Sequence, residues 1–403
     1  MQTILENLQR VKIASKTLAN LSFEKRNNII SDIGKAIIKN KDLIKMENQR
    51  DLTIMDISNP MYDRLLLNDD RIASISKGCD ELIDIKDPLE KYNLEEKIET
   101  KDGLTIKKIG VSLGVVACIY EARPNVTIDL IIMCIKSGNA VILRGGKEAK
   151  NSNNILVEIV KDVLKNNFVD ENIVYNYPLD REELNILYNA IGLVDVIIPR
   201  GGRNLIDSVR KNSIVPVIET GAGVVHLYLD DDIENDFNKA IDVIINAKTS
   251  RPSVCNALDT LIINSNIPNL LLENLFDKLN KSGINIIKEQ ENLDYFKEQL
   301  SLDLNIKFVN NIEEAINHID TYSSLHSDGI LSNNKENIAL FYKSVNSSVV
   351  YANTSTRFSD GSCFGFGGEI GISTQKLHAR GPMGAESLVT YKYVVESDFK
   401  VRK

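Results

Sequence analysis

An α/β fold built on parallel sheets is what this sequence predicts, and three observations carry the prediction. Short, continuously apolar runs recur: GVVACIY (114–120), NAVILRG (139–145), DVIIPRGG (195–202) and VPVIETGAG (215–223). Such runs read as strands buried on both faces. Amphipathic helical stretches alternate with them, the order that a parallel sheet requires. Glycines close three of the four runs, at the carboxyl edge where parallel sheets hold ligands. With 403 residues the chain has room for about two to three domains.

Taken in order, residues 1–90 read as helical. Within 24–48, Ile29, Ile30, Ile33, Ile37 and Ile38 recur at near-helical spacing with lysines opposite. Residues 97–110 differ. Ile98 and Thr100 alternate with polar neighbours, Asp102-Gly103 supplies a two-residue turn, and Thr105-Ile106-Lys107 resumes extended character, which predicts a β-hairpin. After the run at 139–145 a helix carries Ile155, Leu156, Ile159, Val160, Val163 and Leu164 as one stripe. A second α/β unit follows, with helix 237–248, strand 258–264, helix 269–282, strand 305–310 and helix 312–319. The tail is glycine-rich over 359–374 and extended over 387–396, where Tyr391 and Tyr393 flank Lys392 as on an edge or interface strand.

Composition removes several classes of function. Lys+Arg is 48 against Asp+Glu 56, a formal charge of −8, so no electrostatic footprint for nucleic acid or an anionic membrane is present. The longest apolar stretch, Ile128 to Leu143, is broken by Asp129 and Lys136 and falls short of a membrane span. The N-terminal segment is amphipathic, charged from Glu6 onward, and lacks a signal peptide's apolar core, which predicts a cytoplasmic protein. Five scattered cysteines without a CxxC pair predict no disulfide framework, and four histidines without HxxxH predict no metal.

Three residues stand where chemistry is possible. Cys255, in KTSRPSVCNALDT, follows a Pro252 loop with Lys248 and Arg251 close in sequence; nearby cations favour the thiolate. The alternative is a small buried hydrophobe. Glu219, ending an apolar run before glycines, is either a cap or an acid/base group. Asn125, after Pro124, is either a turn or cap residue or an amide donor to an oxyanion. The glycine segments are weak by themselves: 221–226 lacks the third glycine of a dinucleotide fingerprint, and Arg144-Gly145-Gly146-Lys147 lacks a Walker A frame. His226 and His318 read as structural, while His326 and His378 stay undecided.

Together these segments resemble the gamma-glutamyl phosphate reductases (glutamate-5-semialdehyde dehydrogenases), a branch of the aldehyde dehydrogenase superfamily. The resemblance runs nearly the full length through YEARPNVT (120–127), LRGGKEA (143–149), IPRGG (198–202), VPVIETGAG (215–223), RPSVCNALDT (251–260) and IGISTQKLHARGPMG (370–384). The last of these is not shared with general aldehyde dehydrogenases. One departure is Gly329, where a small residue such as alanine is more usual.

The resemblance implies an aldehyde dehydrogenase-like architecture. A Rossmann-type NADP-binding domain would span 1–222 with chain returning at 352–376, and an α/β catalytic domain 223–351. A hairpin at 96–113 and a C-terminal strand within 377–403 would form a small β oligomerisation element, giving a homodimer or higher homo-oligomer. It implies NADPH-dependent reduction of L-glutamate 5-phosphate to L-glutamate 5-semialdehyde through a Cys255 thioester, with Asn125 as oxyanion donor. The product cyclises to 1-pyrroline-5-carboxylate on the way to proline. Glu219 matches the superfamily glutamate that activates water in hydrolytic members; here it would move a proton at Cys255 or at the thiohemiacetal. The cofactor would meet Arg144, Gly145, Gly146 and Lys147, with Gly201, Gly202 and Gly221, and the lysine and arginine suit a 2′-phosphate. Arg123, Arg251 and Arg357 are the candidates for the substrate's anionic groups. Transient contact with the glutamate 5-kinase that makes the labile substrate would fit this chemistry. Two rivals stand beside this reading: a hydrolytic aldehyde dehydrogenase using the same three residues, and a non-catalytic nucleotide-binding or scaffold protein.

Overall fold

The computed structural model describes residues 2–402 apart from 58, 94–96, 122, 181 and 289–292. The chain divides into two compact units. One holds the residues up to Glu219 with Gly365–Gly371 and the segment from Met383; the other holds Thr220–Phe364 and Ile372–Pro382.

Helices Gln2–Ala19, Phe23–Lys39, Lys41–Leu52, Pro60–Leu65 and Asp69–Ile83 open the first unit. Gln2–Ala19 buries Ile4, Leu8, Val11 and Leu18, one stripe at helical spacing. Phe23–Lys39 starts where the Ser22 side chain accepts the Lys25 N–H, and it buries Ile29, Ile30, Ile33 and Ile37. Ile38, expected in that stripe, faces solvent, because a helix turns the neighbour of a buried residue about 100° away.

The first unit's parallel sheet has the order Val174–Asn176, Ala140–Arg144, Val115–Tyr120, Val196–Arg200. Cys118 stands opposite Leu143 on one side and Ile198 on the other. The chain steps outward from the Val115–Tyr120 strand, then returns to its opposite side. The order therefore reverses between Val115–Tyr120 and Val196–Arg200, the kind of crevice in which doubly wound sheets bind ligands. The run at 215–223 does not become a strand. It makes one bridge, Val217 to Ile197, because Pro216 has no N–H to give a ladder.

A three-stranded antiparallel sheet joins Ile98–Glu99, Thr105–Ser112 and Val389–Glu396. Its pairing runs from Val389↔Ser112 to Glu396↔Thr105. Thr100 and Leu104 close the hairpin around Lys101, Asp102 and Gly103, so the loop is three residues and not two, with Gly103 left-handed at φ 75°. Glu96, the first residue of the expected oligomerisation hairpin, lies outside the described residues. Tyr391, Tyr393 and Val395 are exposed on this sheet.

The second unit is a six-stranded parallel sheet in the order Val349–Ala352, Ser327–Leu331, His226–Leu229, Thr260–Asn264, Asp303–Val309, Asn285–Ile287. Helices Phe237–Thr249 and Asn269–Lys281 pack Ile241, Ile244, Leu275 and Leu279 against one face. Helices Ile312–Tyr322 and Lys335–Ser344 pack Ile319 and Phe341 against the other. Leu227 and Tyr351 flank Gly329 on the neighbouring strands. A Cβ at Gly329 would stand 2.8 Å from Leu227 Cδ1, so this chain fills with neighbouring side chains the space an alanine would use.

Candidate active site

Burial sorts the cysteines. Cys79, Cys118 and Cys134 are buried, and burial pushes the thiols of Cys79 and Cys118 up to about 12 and that of Cys134 well above its ordinary value. None of these forms a thiolate near neutrality. Cys255 is half-buried on the loop between helix Phe237–Thr249 and strand Thr260–Asn264; Cys363 is exposed.

The Cys255 loop is held from behind by its neighbour. Asn256 donates its side-chain amide to the Arg357 carbonyl at 3.3 Å and the Ser359 carbonyl at 2.9 Å, and its own carbonyl accepts the Thr356 hydroxyl at 2.8 Å. Arg357 donates Nε to the Ser250 hydroxyl at 2.9 Å. Burial lowers the pKa of Arg357, while Cys255 raises it and Arg251 lowers it; the thiol and both arginines thus share one electrostatic neighbourhood. Lys248 is different from its sequence appearance. It is fully buried, donates Nζ to the Leu258 carbonyl at 2.7 Å, and is pushed down to about 8 by burial against the pull of Asp259.

Asn125 sits in the first turn of helix Pro124–Lys136, with Arg123 at its N-cap and Pro124 at the position where a missing N–H costs nothing. Ala122 in the same motif lies outside the described residues. The Asn125 amide donates to Asp129 Oδ2 at 3.3 Å. Burial pushes Asp129 up to about 6, with Arg200 and Asn125 pulling it back. A side-chain amide has two N–H donors, so the bond to Asp129 orients the group and leaves one donor to use elsewhere. Glu219 pairs with Arg210 of helix Arg203–Asn212 at 3.8 Å, a partner that sequence reasoning did not supply.

A cavity of about 460 Å³ opens at the carboxyl ends of strands Ala140–Arg144 and Val174–Asn176. Gly145, Lys147, Lys150, Asn153, Tyr177 and Asp180 line it. Arg144 donates Nη2 to the Leu179 carbonyl at 3.1 Å at its edge. Glu148 folds back over Gly146, where a Cβ would lie 2.0 Å from its carboxylate. Sequence reasoning missed Lys150, one helical turn past Lys147. At the order reversal of the sheet, Gly202 caps helix Arg203–Asn212 and its N–H donates to Glu121 Oε2 at 3.0 Å. A carboxylate therefore occupies the anion-favouring start of that helix beside Gly201. Gly221 lies in the other unit, its N–H donating to the Ile372 carbonyl at 2.8 Å.

The histidines divide by burial. His226 is fully buried with Nδ1 2.9 Å from Asp328 Oδ1. Burial pushes His318 down to about 3 and His326 to about 4, so both stay neutral in the fold. His378 is exposed with left-handed backbone at φ 66°. Among the described residues no group of three or more His, Cys, Asp or Glu side chains is arranged to hold a metal ion, and no helix is long and apolar enough to cross a membrane.

A doubly wound parallel sheet followed by a second parallel unit is an aldehyde dehydrogenase-like fold. The chain shares that fold with an acetylating aldehyde dehydrogenase from Geobacillus thermoglucosidasius (TM-score 0.72, 15% identity, 100% of this chain and 98% of that one). It also shares it with an engineered glycolyl-CoA reductase solved with bound NADP+ (TM-score 0.71, 16% identity, 97% and 96%). The likeness to gamma-glutamyl phosphate reductase from Thermotoga maritima is much closer: TM-score 0.94, 38% identity, 99% of both chains. The enzyme of that name from Chlorobium luteolum is 43% identical over 417 residues, covering 99% of this chain and 98% of its own. The chain belongs to the gamma-glutamyl phosphate reductase family. No family model matches it.

Proposed function

We propose that the protein reduces L-glutamate 5-phosphate to L-glutamate 5-semialdehyde and phosphate with NADPH, through a thioester on Cys255, as a step of proline biosynthesis. The observation that carries this reading is the end-to-end likeness to gamma-glutamyl phosphate reductases. Cys255 attacks the acyl carbon of the 5-phosphate, and Asn125 with the Cys255 backbone N–H donates to the resulting oxyanion. Phosphate leaves and the thioester remains on the sulfur. NADPH, when bound, supplies the hydride that brings the acyl group to the aldehyde level. Cys255 is then expelled as thiolate, and Glu219 moves the proton at Cys255 or at the thiohemiacetal without taking one from a water that would hydrolyse the thioester. Arg123, Arg251 and Arg357 offer the charge for the carboxylate and phosphate; the shared neighbourhood of Cys255, Arg251 and Arg357 supports the last two.

The cavity beside Gly145 fits an adenosine carrying a 2′-phosphate, because Lys147 and Lys150 line it while Glu148 folds away over Gly146. Gly201, Gly202 and Gly221 complete the cofactor set in this proposal. Lys147→Ala is expected to raise the KM for NADPH about tenfold and leave that for NADH within about twofold, since one charge-assisted contact to phosphate is lost. Initial rates with both cofactors check this; equal changes in the two would remove Lys147 from phosphate recognition. The proposal also includes a cytoplasmic location, a homodimer or higher homo-oligomer joined through the sheet that exposes Tyr391 and Tyr393, and transient contact with glutamate 5-kinase.

The reverse reaction tests the whole reading. Reduction of NADP by 1-pyrroline-5-carboxylate should require inorganic phosphate. Turnover that ignores phosphate would place water at the thioester, with Glu219 as its activator, and make the protein a hydrolytic aldehyde dehydrogenase.

A further inference from the structure

We propose that Glu298 is a positioning residue for Cys255, acting through the backbone of Gly223; this rests on the reading of Cys255 as the nucleophile and deepens it. The segment 223–225 enters the second unit's sheet without belonging to a strand, so its N–H groups have no ladder to join. Side chains take them instead. Gly223 donates to Glu298 Oε1 at 3.1 Å, Val224 to the Ser324 hydroxyl at 2.8 Å, and Val225 to Asp259 Oδ2 at 3.0 Å.

Held there, Gly223 lies directly on the nucleophile's main chain. A Cβ on Gly223 would stand 1.5 Å from the Cys255 carbonyl oxygen and 2.4 Å from its carbon, so only glycine permits the contact. Asn256 clamps the same loop from Thr356 and Ser359. Cys255 is therefore gripped between two fixed backbones, and Glu298 anchors one of them.

Glu298 is itself well founded. Its neighbour Gln299 donates its N–H to Asp259 Oδ1 at 2.8 Å, and Tyr295 packs edge-on against His318 at 4.7 Å between ring centres. Phe296 meets Tyr322 at 4.9 Å. Burial and the neighbouring Asp259 raise the pKa of Glu298 while the Gly223 N–H lowers it, as expected for a carboxyl group placed for one backbone donor. Removing the acceptor leaves a Gly223 N–H without its partner and frees the segment to withdraw from Cys255.

The test compares Glu298→Ala with Glu298→Gln, whose amide oxygen can still accept the Gly223 N–H. Glu298→Ala is expected to lose about 10- to 100-fold in kcat with KM little changed, as for a small misplacement of a reacting group. Glu298→Gln should stay within about threefold of wild type, since the acceptor is conserved. Alkylation of Cys255 by iodoacetamide, followed by peptide mass, should differ from wild type by at least about threefold in the alanine variant and not in the glutamine variant. That arm reads the thiol's setting whatever substrate the enzyme takes, so a failure of the substrate assignment is distinguishable from a failure of this proposal. If Glu298→Ala does not fold, Glu298→Asp withdraws the acceptor by one methylene and takes its place. Wild-type kcat and alkylation in the shortened variant, or a glutamine variant as impaired as alanine, would overturn the proposal.

Discussion

Cys255→Ala is expected to abolish phosphate-dependent NADP reduction, with a loss of about 10⁴-fold or more, because no other group in the proposed mechanism can hold the acyl chain. The protein should remain folded. Cys255 is only half-buried, the change removes one sulfur atom, and the loop keeps its Asn256 bonds to Ser359 and Thr356. Destabilisation should stay within about 1 kcal/mol, read as a small shift in thermal midpoint. A second measurement isolates the step. Wild type mixed with substrate in the absence of NADPH should release phosphate in one burst and gain the mass of the acyl group on the Cys255 peptide, while the variant does neither. Turnover by the alanine variant above a hundredth of wild type would remove Cys255 from the chemistry. Three of the other thiols make poor substitutes, since Cys79, Cys118 and Cys134 are buried with raised pKa values, while Cys363 is exposed.

Asn125→Ala should lower kcat by about 10²- to 10³-fold with a smaller change in KM, the signature of a donor that meets charge only in the transition state. The bond to Asp129 adds a sharper comparison. Asn125→Asp keeps the size of the side chain but has no N–H to give, and it sets a second carboxyl group where the amide now meets Asp129 Oδ2. It should therefore be at least as impaired as alanine. Steady-state kinetics on both variants check this; a KM effect without a kcat effect would make Asn125 a substrate-binding residue. An unaltered kcat in Asn125→Ala would leave it the helix-turn residue that its position after Pro124 also allows.

The candidate site was readable from sequence wherever one short segment carries both the position and the chemistry. Cys255 after its proline loop, Asn125 after Pro124 and Lys147 after a strand are of this kind. Glu121, Lys150 and Glu298 are not. Glu121 matters because its carboxylate reaches Gly202 across 81 residues of chain. Lys150 lines the cavity only because strand Val174–Asn176 lies beside Ala140–Arg144. Lys248 read as a cation beside the thiol, yet its helix turns it fully into the interior, where it binds the Leu258 carbonyl. The apolar run at 215–223 read as a strand, but Pro216 denies it a ladder and side-chain acceptors hold 223–225 in place.

By itself, then, the sequence determined the α/β class, most of the helices and central strands and the family, and it named Cys255 as the candidate nucleophile. Each of these follows from a local property: which side chains recur at helical spacing, which runs are apolar throughout, which short strings carry a thiol or an amide. Strand order was left to the tertiary structure, as were Asn285–Ile287, Ser327–Leu331 and Val349–Ala352, short strands with little pattern of their own. So was the meeting of Gly223 with Cys255 and Glu298, which lie 32 and 75 residues from it along the chain and come within its reach only in the fold. Burial spacing is set within one turn of helix or one stretch of strand. Which backbone lies against which is decided by the packing of all the elements together, and no local pattern encodes it.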